Sequence, residues 1–153
     1  VTLIDQVMDA LVAIVAGTPE AVGGVFEDRP QPFTVGQDQA IEVTLRDADS
    51  QTLGDDHPLR SVLRTTLQVE LAVYSRAAIN EAGQELPTRR LTNPLWAAAH
   101  VRLMADPSLG GLAVRVRWRR CSWRRENADG TAGWAVHSYE IALAMREHNL
   151  LAP

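Results

Sequence analysis

The 153-residue chain contains no lysine; apart from four histidines, all 15 of its basic side chains are arginine. Each cationic position therefore carries a planar group with several N–H donors, suited to carboxylate or phosphate and not easily deprotonated. Cysteine is nearly absent. With Cys121 alone, no disulfide can form within the chain, and a reducing interior is the expected setting. Long apolar runs are also missing. The longest, Ala10 to Ala16, falls far short of the roughly 20 residues a membrane span needs. Asp5 and Asp9 precede it without an arginine, the wrong sign for a secretory leader, so neither a membrane segment nor an export signal is expected.

Catalytic signatures are lacking too. There is no G-x-S-x-G elbow and no H-E-x-x-H, and Gly110-Gly111 follows a helical segment instead of opening one, the reverse of a phosphate loop. His57, His100, His137 and His148 are scattered, and none stands at metal-ligand spacing from another histidine or from Cys121. His57 beside Asp55 and Asp56 reads as part of a solvated acidic loop, and Cys121 as a passive strand cysteine. The expectation is a protein that is not an enzyme and takes no cofactor or metal.

What is present is an ordinary globular composition, 46% hydrophobic and 22% charged, at a length that suits one domain over 1–153. Leu3, Ile4, Val7, Met8, Leu11, Val12 and Val15 recur at helical spacing. Thr2 and Asp5 are placed to form a capping box, and Gly17 and Pro19 end the helix. Residues 22–35, interrupted by Pro30 and Pro32, predict an edge strand or extended loop. Ile41, Val43 and Leu45 alternate with polar residues, as a half-buried strand does. Residues 47–60, with Asp47, Asp49, Asp55 and Asp56, read as an exposed acidic loop. A clean period of two predicts a strand over about 61–75.

Residues 76–92 are ambiguous: Ala77-Ala78-Ile79 could start a helix, but Gly83 and Pro87 argue for a second loop. Asn93-Pro94 predicts the start of a helix with Leu95, Trp96, Ala99, Leu103 and Met104 inward, stopped by Asp106-Pro107. A closing hairpin follows, with Leu112, Val114, Val116 and Trp118 on one face and Ala113, Arg115, Arg117 and Arg119 on the other. Turn residues span 127–133. The return strand lines up Ala135, Tyr139, Ile141, Leu143 and Met145, with His137 interrupting the apolar series. The fold expected is α+β: an antiparallel-rich mixed sheet with two helices packed on one face. Leu63, Leu67, Val69, Leu71, Val114, Val116, Tyr139, Ile141 and Leu143 should lie beneath the helices.

Charge is unevenly distributed. Residues 1–59 carry 11 acidic groups and two arginines, a net of −9, and residues 60–153 carry eight acidic groups and 13 arginines, a net of +5. Six of those arginines and two tryptophans fall within Arg115–Arg125. Such a strand suits contact with another subunit, a solvated sheet face, or phosphates with bases stacked on indole. Arg115, Arg117, Arg119, Arg120, Trp123 and Arg124 are the interface candidates, with Asp55 and Asp56 as acidic counterparts. In a compact domain the two halves would neutralise each other; alternatively, an acidic edge of one subunit meeting a basic edge of the next, head to tail, would close a ring.

The segment Asp106-Pro107-Ser108-Leu109-Gly110-Gly111-Leu112-Ala113 forces a sharp turn between a helix and a strand, with Asp106, Pro107, Gly110 and Gly111 as its structural residues. At least one of the two glycines should have a positive φ. This turn and the later Tyr139-Glu140-Ile141 resemble the C-terminal half of bacteriophage tail terminator proteins, the minor tail protein U kind and related tail-completion proteins. The resemblance implies a structural protein of the virion tail, assembled in the bacterial host cytoplasm. It would form a hexameric ring on the last ring of the tail tube protein, stop tube growth and offer a surface to the head-completion or connector protein. It supplies no catalytic residues. A nucleic-acid-binding module using strand 115–125, or another tail tube or connector protein, stands as the alternative.

Overall fold

The structure, a computed structural model, describes residues 1–29, 38–53, 62–76, 87–125 and 132–146. Helix α1 (Leu3–Ala16) opens on the expected capping box. The Asp5 N–H donates to Thr2 Oγ1, and the Asp5 carboxylate accepts from the Thr2 N–H at 2.7 Å. Those bonds to Thr2 hold the Asp5 carboxyl below its ordinary pKa. Gly17 caps the other end, where a Cβ would collide with the guanidinium of Arg102. Leu3, Val7, Met8, Leu11 and Val15 are buried, as their spacing requires.

Five strands form one sheet in the order β1-β2-β3-β5-β4. They are β1 (Gly24–Glu27), β2 (Ala40–Leu53), β3 (Val62–Arg76), β4 (Arg115–Arg125) and β5 (Ala132–Arg146). Only β1 runs parallel to its neighbour, and it pairs with residues 40–43 of β2 alone. The other contacts are antiparallel. Leu67, Val69, Leu71 and Val73 of β3 and Tyr139, Ile141 and Leu143 of β5 are buried with the stripes of α1 and α2 (Thr88–Ala105) in one core. This is the α+β architecture expected, with both helices over one face of a mixed sheet. Leu63 and Trp96 are only partly buried.

Several local readings need correction. The acidic stretch from Asp47 to Leu53 is strand, not loop: β2 passes a bulge between Leu45 and Asp47 and stays paired with β3 to its end. Residues 46–51 are exposed, so nothing there demands an apolar alternation; the ladder to β3 holds the strand without one. Residues 54–60, including Asp55, Asp56 and His57, lie outside the described residues. The stretch 76–92 is not all loop either. β3 runs through Arg76, and α2 begins at Thr88, so Asn93-Pro94 sits inside the helix. Pro94 removes one N–H from the ladder, yet Leu91 and Thr92 are already buried ahead of it, so packing begins a turn before the expected cap.

Val114 was expected in the core and is 65% exposed. Leu109 is buried in its place, because the turn at 108–113 carries the chain inward one residue out of phase with the strand that follows. Ala132 and Gly133, expected in the hairpin turn, are already in β5. The rest of that turn, like residues 30–37, lies outside the described residues.

Candidate functional site

Three features of the sheet's C-terminal half hold most of the unusual side chains. The first is the turn between α2 and β4. Asp106 organises it. Its Oδ1 accepts from the Ser108 N–H at 3.0 Å and from the Ser108 hydroxyl at 2.5 Å, and its Oδ2 accepts from the Gly110 N–H at 2.7 Å. The Ser108 hydroxyl and the two amides stabilise the charged carboxylate and lower its pKa. Three consecutive residues then adopt positive φ: Leu109 at 51°, Gly110 at 69° and Gly111 at 89°. Both glycines meet the expectation; Leu109, an L-residue in that region, does not come free. Its side chain is buried in the core, which holds the strained backbone in place. The Ala113 and Val116 N–H groups close the turn on the Ser108 and Pro107 carbonyls at 2.8 and 2.9 Å.

The second feature is strand β4, one edge of the sheet. A bulge between Trp118 and Arg120 inserts Arg119 and resets the alternation. Trp118 stands opposite Tyr139 before the bulge; Cys121 and Trp123 stand opposite His137 and Ala135 after it. Both tryptophans thus share the helix-side face although they are five residues apart. Trp118, assigned by alternation to the apolar face of its strand, is 42% exposed and Trp123 is 50% exposed, because β4 lies at the margin of what the helices cover. Arg115, Arg117, Arg120 and Arg124 register with Ala142, Glu140, Ser138 and Trp134, on the opposite, open face.

That segregation weakens the nucleic-acid reading, since bases stacked on the indoles would lie across the sheet from most of the guanidiniums. Arg119 reaches Glu140 at 3.6 Å, and Arg46, inserted by the bulge in β2, reaches Glu70 at 2.6 Å. Between these pairs lies a shallow depression of about 280 Å³, lined by Arg46, Gln68, Glu70, Arg119, Arg120 and Glu140. Glu140 thus takes an arginine of β4, while Glu70 takes Arg46 of β2.

The third feature was not anticipated from the sequence. Between α2 and strands β4 and β5, the separate residues Trp96, His100, Trp118, Cys121, His137 and Tyr139 meet. Trp96 stacks on His137 with centroids 4.3 Å apart and planes 5° from parallel. The Trp118 Nε1–H donates to His137 Nδ1 at 3.3 Å, and Cys121 Sγ lies 3.3 Å from His137 Nε2. An indole nitrogen can only donate, so Nδ1 must accept and the imidazole proton sits on Nε2, toward the sulfur. Tyr139 is arranged likewise. Its oxygen accepts from the Trp96 Nε1–H at 3.1 Å, leaving its own proton for His100 Nδ1 at 2.8 Å.

Burial favours the neutral form of every member. It pushes His137 down to about 4, with His100 adding to the effect, and lowers His100 itself. It pushes the Cys121 thiol up to about 11 and the Tyr139 phenol well above its ordinary value. A catalytic cysteine–histidine pair works as thiolate and imidazolium. Burial favours thiol and imidazole here, the opposite of that charged pair. Period-two spacing within β5 placed His137 on the core face, but nothing local linked it to Cys121 or Trp96. Among the described residues no group of three or more His, Cys, Asp or Glu side chains is gathered to hold a metal, and no helix is long and apolar enough to cross a membrane.

The two margins of the sheet differ in charge. The β1–β2 side presents exposed Glu27, Asp28, Asp47 and Asp49, and the β4 side presents exposed Arg115, Arg117, Arg119, Arg120 and Arg124. These two exposed groups lie at opposite margins of one sheet, while Arg76–Asp38 and Arg46–Glu70 pair charges between the two halves of the chain within it.

No known family matches the sequence, and no curated protein does. Among solved structures, a chain described as part of the virion of a native gene transfer agent particle is similar. The TM-score is 0.40 at 14% sequence identity, over 94% of this chain and 92% of that chain.

Proposed function

We propose that this chain is a structural, non-enzymatic protein of a phage or prophage tail. It caps the tail tube as a head-to-tail ring, stops elongation, and gives the head-completion or connector protein its docking surface. The observation that supports this most is the placement of acidic and basic edges at opposite margins of one sheet. A heterologous contact between unlike edges closes into a ring when its rotation divides a full turn, six subunits being the number the tail-terminator resemblance implies. The Asp106–Ala113 turn supports the same reading. The residues that carry the resemblance form a built structural turn, with Asp106, Gly110 and Gly111 in distinct roles.

Complementation tests the proposal. Tails assembled without the protein should be irregular in length and unable to join heads, and adding it back should restore both. Tails of normal length that join heads efficiently in its absence would end the terminator reading.

A further inference from the structure

Among the described residues, two strands of the sheet have an edge with no strand paired to it. β4 is the last strand on its side, with its outer edge unpaired among the described residues over Arg115–Arg125. β1 pairs with β2 only through Val43, whose carbonyl also accepts from the Asp28 N–H. From Thr44 to Leu53 β2 has no described strand on that side, and residues 46–51 are exposed. An unpaired edge is a template for another strand, and folded proteins usually blunt it with charge and bulges. Both edges carry those devices here: Arg119 bulges from β4 and Arg46 from β2, each beside the row Leu45–Val69–Tyr139–Trp118.

The charges discriminate between pairings. β4 against a second β4 would set Arg115, Arg117, Arg119, Arg120 and Arg124 against themselves, and β2 against β2 would bring together two copies of Asp47 and Asp49, each beside one Arg46. Like charges facing each other across strands are destabilising. β4 against β2 is the pairing that sets a strand of excess positive charge against one of excess negative charge. The free lengths agree, since β4 has 11 residues and β2 beyond Val43 runs from Thr44 to Leu53. Direction agrees as well. Successive antiparallel pairings make β2 and β4 opposite in sense, so a second copy with its helices on the same face presents β2 antiparallel to β4. On the helix-side face, exposed Trp118 and Trp123 would meet the stretch holding Ala48 and Ser50, whose small side chains leave room for the indoles.

We infer that residues 44–53 of one copy add to the outer edge of β4 of the next, continuing the sheet from subunit to subunit. The inference rests on the ring reading and names the contact that closes the ring.

A cysteine walk in a Cys121→Ser background tests it. Asp49→Cys on β2 is combined in turn with Arg117→Cys, Arg120→Cys or Ser122→Cys on β4, all open-face positions, and the assembled protein is mildly oxidised. The expected result is one favoured register that cross-links into species larger than dimers, because each subunit offers both halves. The β4 cysteines alone should give no cross-link. A dimer formed by a β4 cysteine alone would mean that β4 pairs with itself and would overturn the inference.

Charge reversal supplies the second readout. Asp47→Arg with Asp49→Arg should weaken association at least tenfold, with circular dichroism unchanged, and added Arg115→Glu and Arg117→Glu should recover part of it. A ring that forms with no β2–β4 cross-link in any register, and that ignores the reversal, overturns this contact and leaves the ring reading standing. No self-association, either free or on tail tubes, removes both.

Discussion

Trp96 lies flat on His137, 4.3 Å between centroids, and so clamps helix α2 to strand β5 through an imidazole that is 1% exposed. The histidine sits where the alternation of β5 calls for an apolar residue. Trp118 and Cys121 satisfy its two nitrogens, and it is held neutral at a pKa of about 4. Trp96→Ala should therefore remove both the stack and the donor to Tyr139. A loss of about 2–4 kcal/mol in urea unfolding is expected, the range for a large aromatic in a largely packed site.

The same histidine sets an acid limit. Its folded pKa lies below the ordinary value near 6.5, so between those values the unfolded chain binds the extra proton. Its contribution is complete above about pH 6.5 and is lost as pH falls toward 4, amounting to about 2–4 kcal/mol. Asp5 and Asp106, both lowered, lose their contributions as pH falls through the carboxylate range, below the histidine window. Urea unfolding from pH 7.5 to 4.5 should show stability falling across that interval, and His137→Gln should flatten the curve. A wild-type curve level across it would contradict the neutral-histidine network.

Cys121 should be a slow nucleophile. With its thiol near pH 11 instead of about 8.5, the thiolate fraction at pH 8 is lower by roughly two orders of magnitude. Alkylation by iodoacetamide in the folded monomer should be slower than in urea by about that factor. Equal rates would show the sulfur to be exposed and unperturbed.

The turn glycines and Gly133 should fail for different reasons. A Cβ at Gly110 or Gly111 meets nothing within 4 Å, so Gly110→Val and Gly111→Val cost only backbone strain, about 1–3 kcal/mol each. Unchanged melting for both would refute the positive-φ turn. At Gly133 a Cβ would lie 2.5 Å from the Thr88 Cγ2, at the start of α2. Gly133→Ala should lower the melting temperature, and adding Thr88→Ser, which removes that methyl group, should restore most of the loss.

Reversing Arg115, Arg117 and Arg119 to Glu together should weaken assembly while leaving the monomer folded. One exposed ion pair contributes roughly 0–1 kcal/mol, so a single replacement should do little. Assembly should also weaken with salt, since exposed charges are screened over about 8 Å at physiological ionic strength. Sedimentation across a salt series checks both. Association that strengthens with salt would point to the tryptophans instead of the arginines.

Where one residue's surroundings repeat along the chain, the sequence alone determined the outcome. The α1 stripe and its Thr2–Asp5 cap, the long β3, the closing hairpin and the positive φ at Gly110-Gly111 follow from periods of 3.6 and 2 and from side chains reaching three or four residues. The start of α2, the strand character of Asp47–Leu53 and the outward turn of Val114 did not follow. Each depends on what lies across space: Leu91 has a core to enter, β3 supplies a ladder to a polar strand, and Leu109 takes the inward place. The tertiary structure alone decided the rest of the site. The bulge at Arg119 put Trp118 and Trp123 on one face against their spacing, and the folding of α2 over β4 and β5 brought Cys121, His137, Trp96, His100 and Tyr139 together. Alternation assigns a residue to a face, but a bulge resets that assignment, and contacts between distant strands and helices depend on register and packing that no local period encodes.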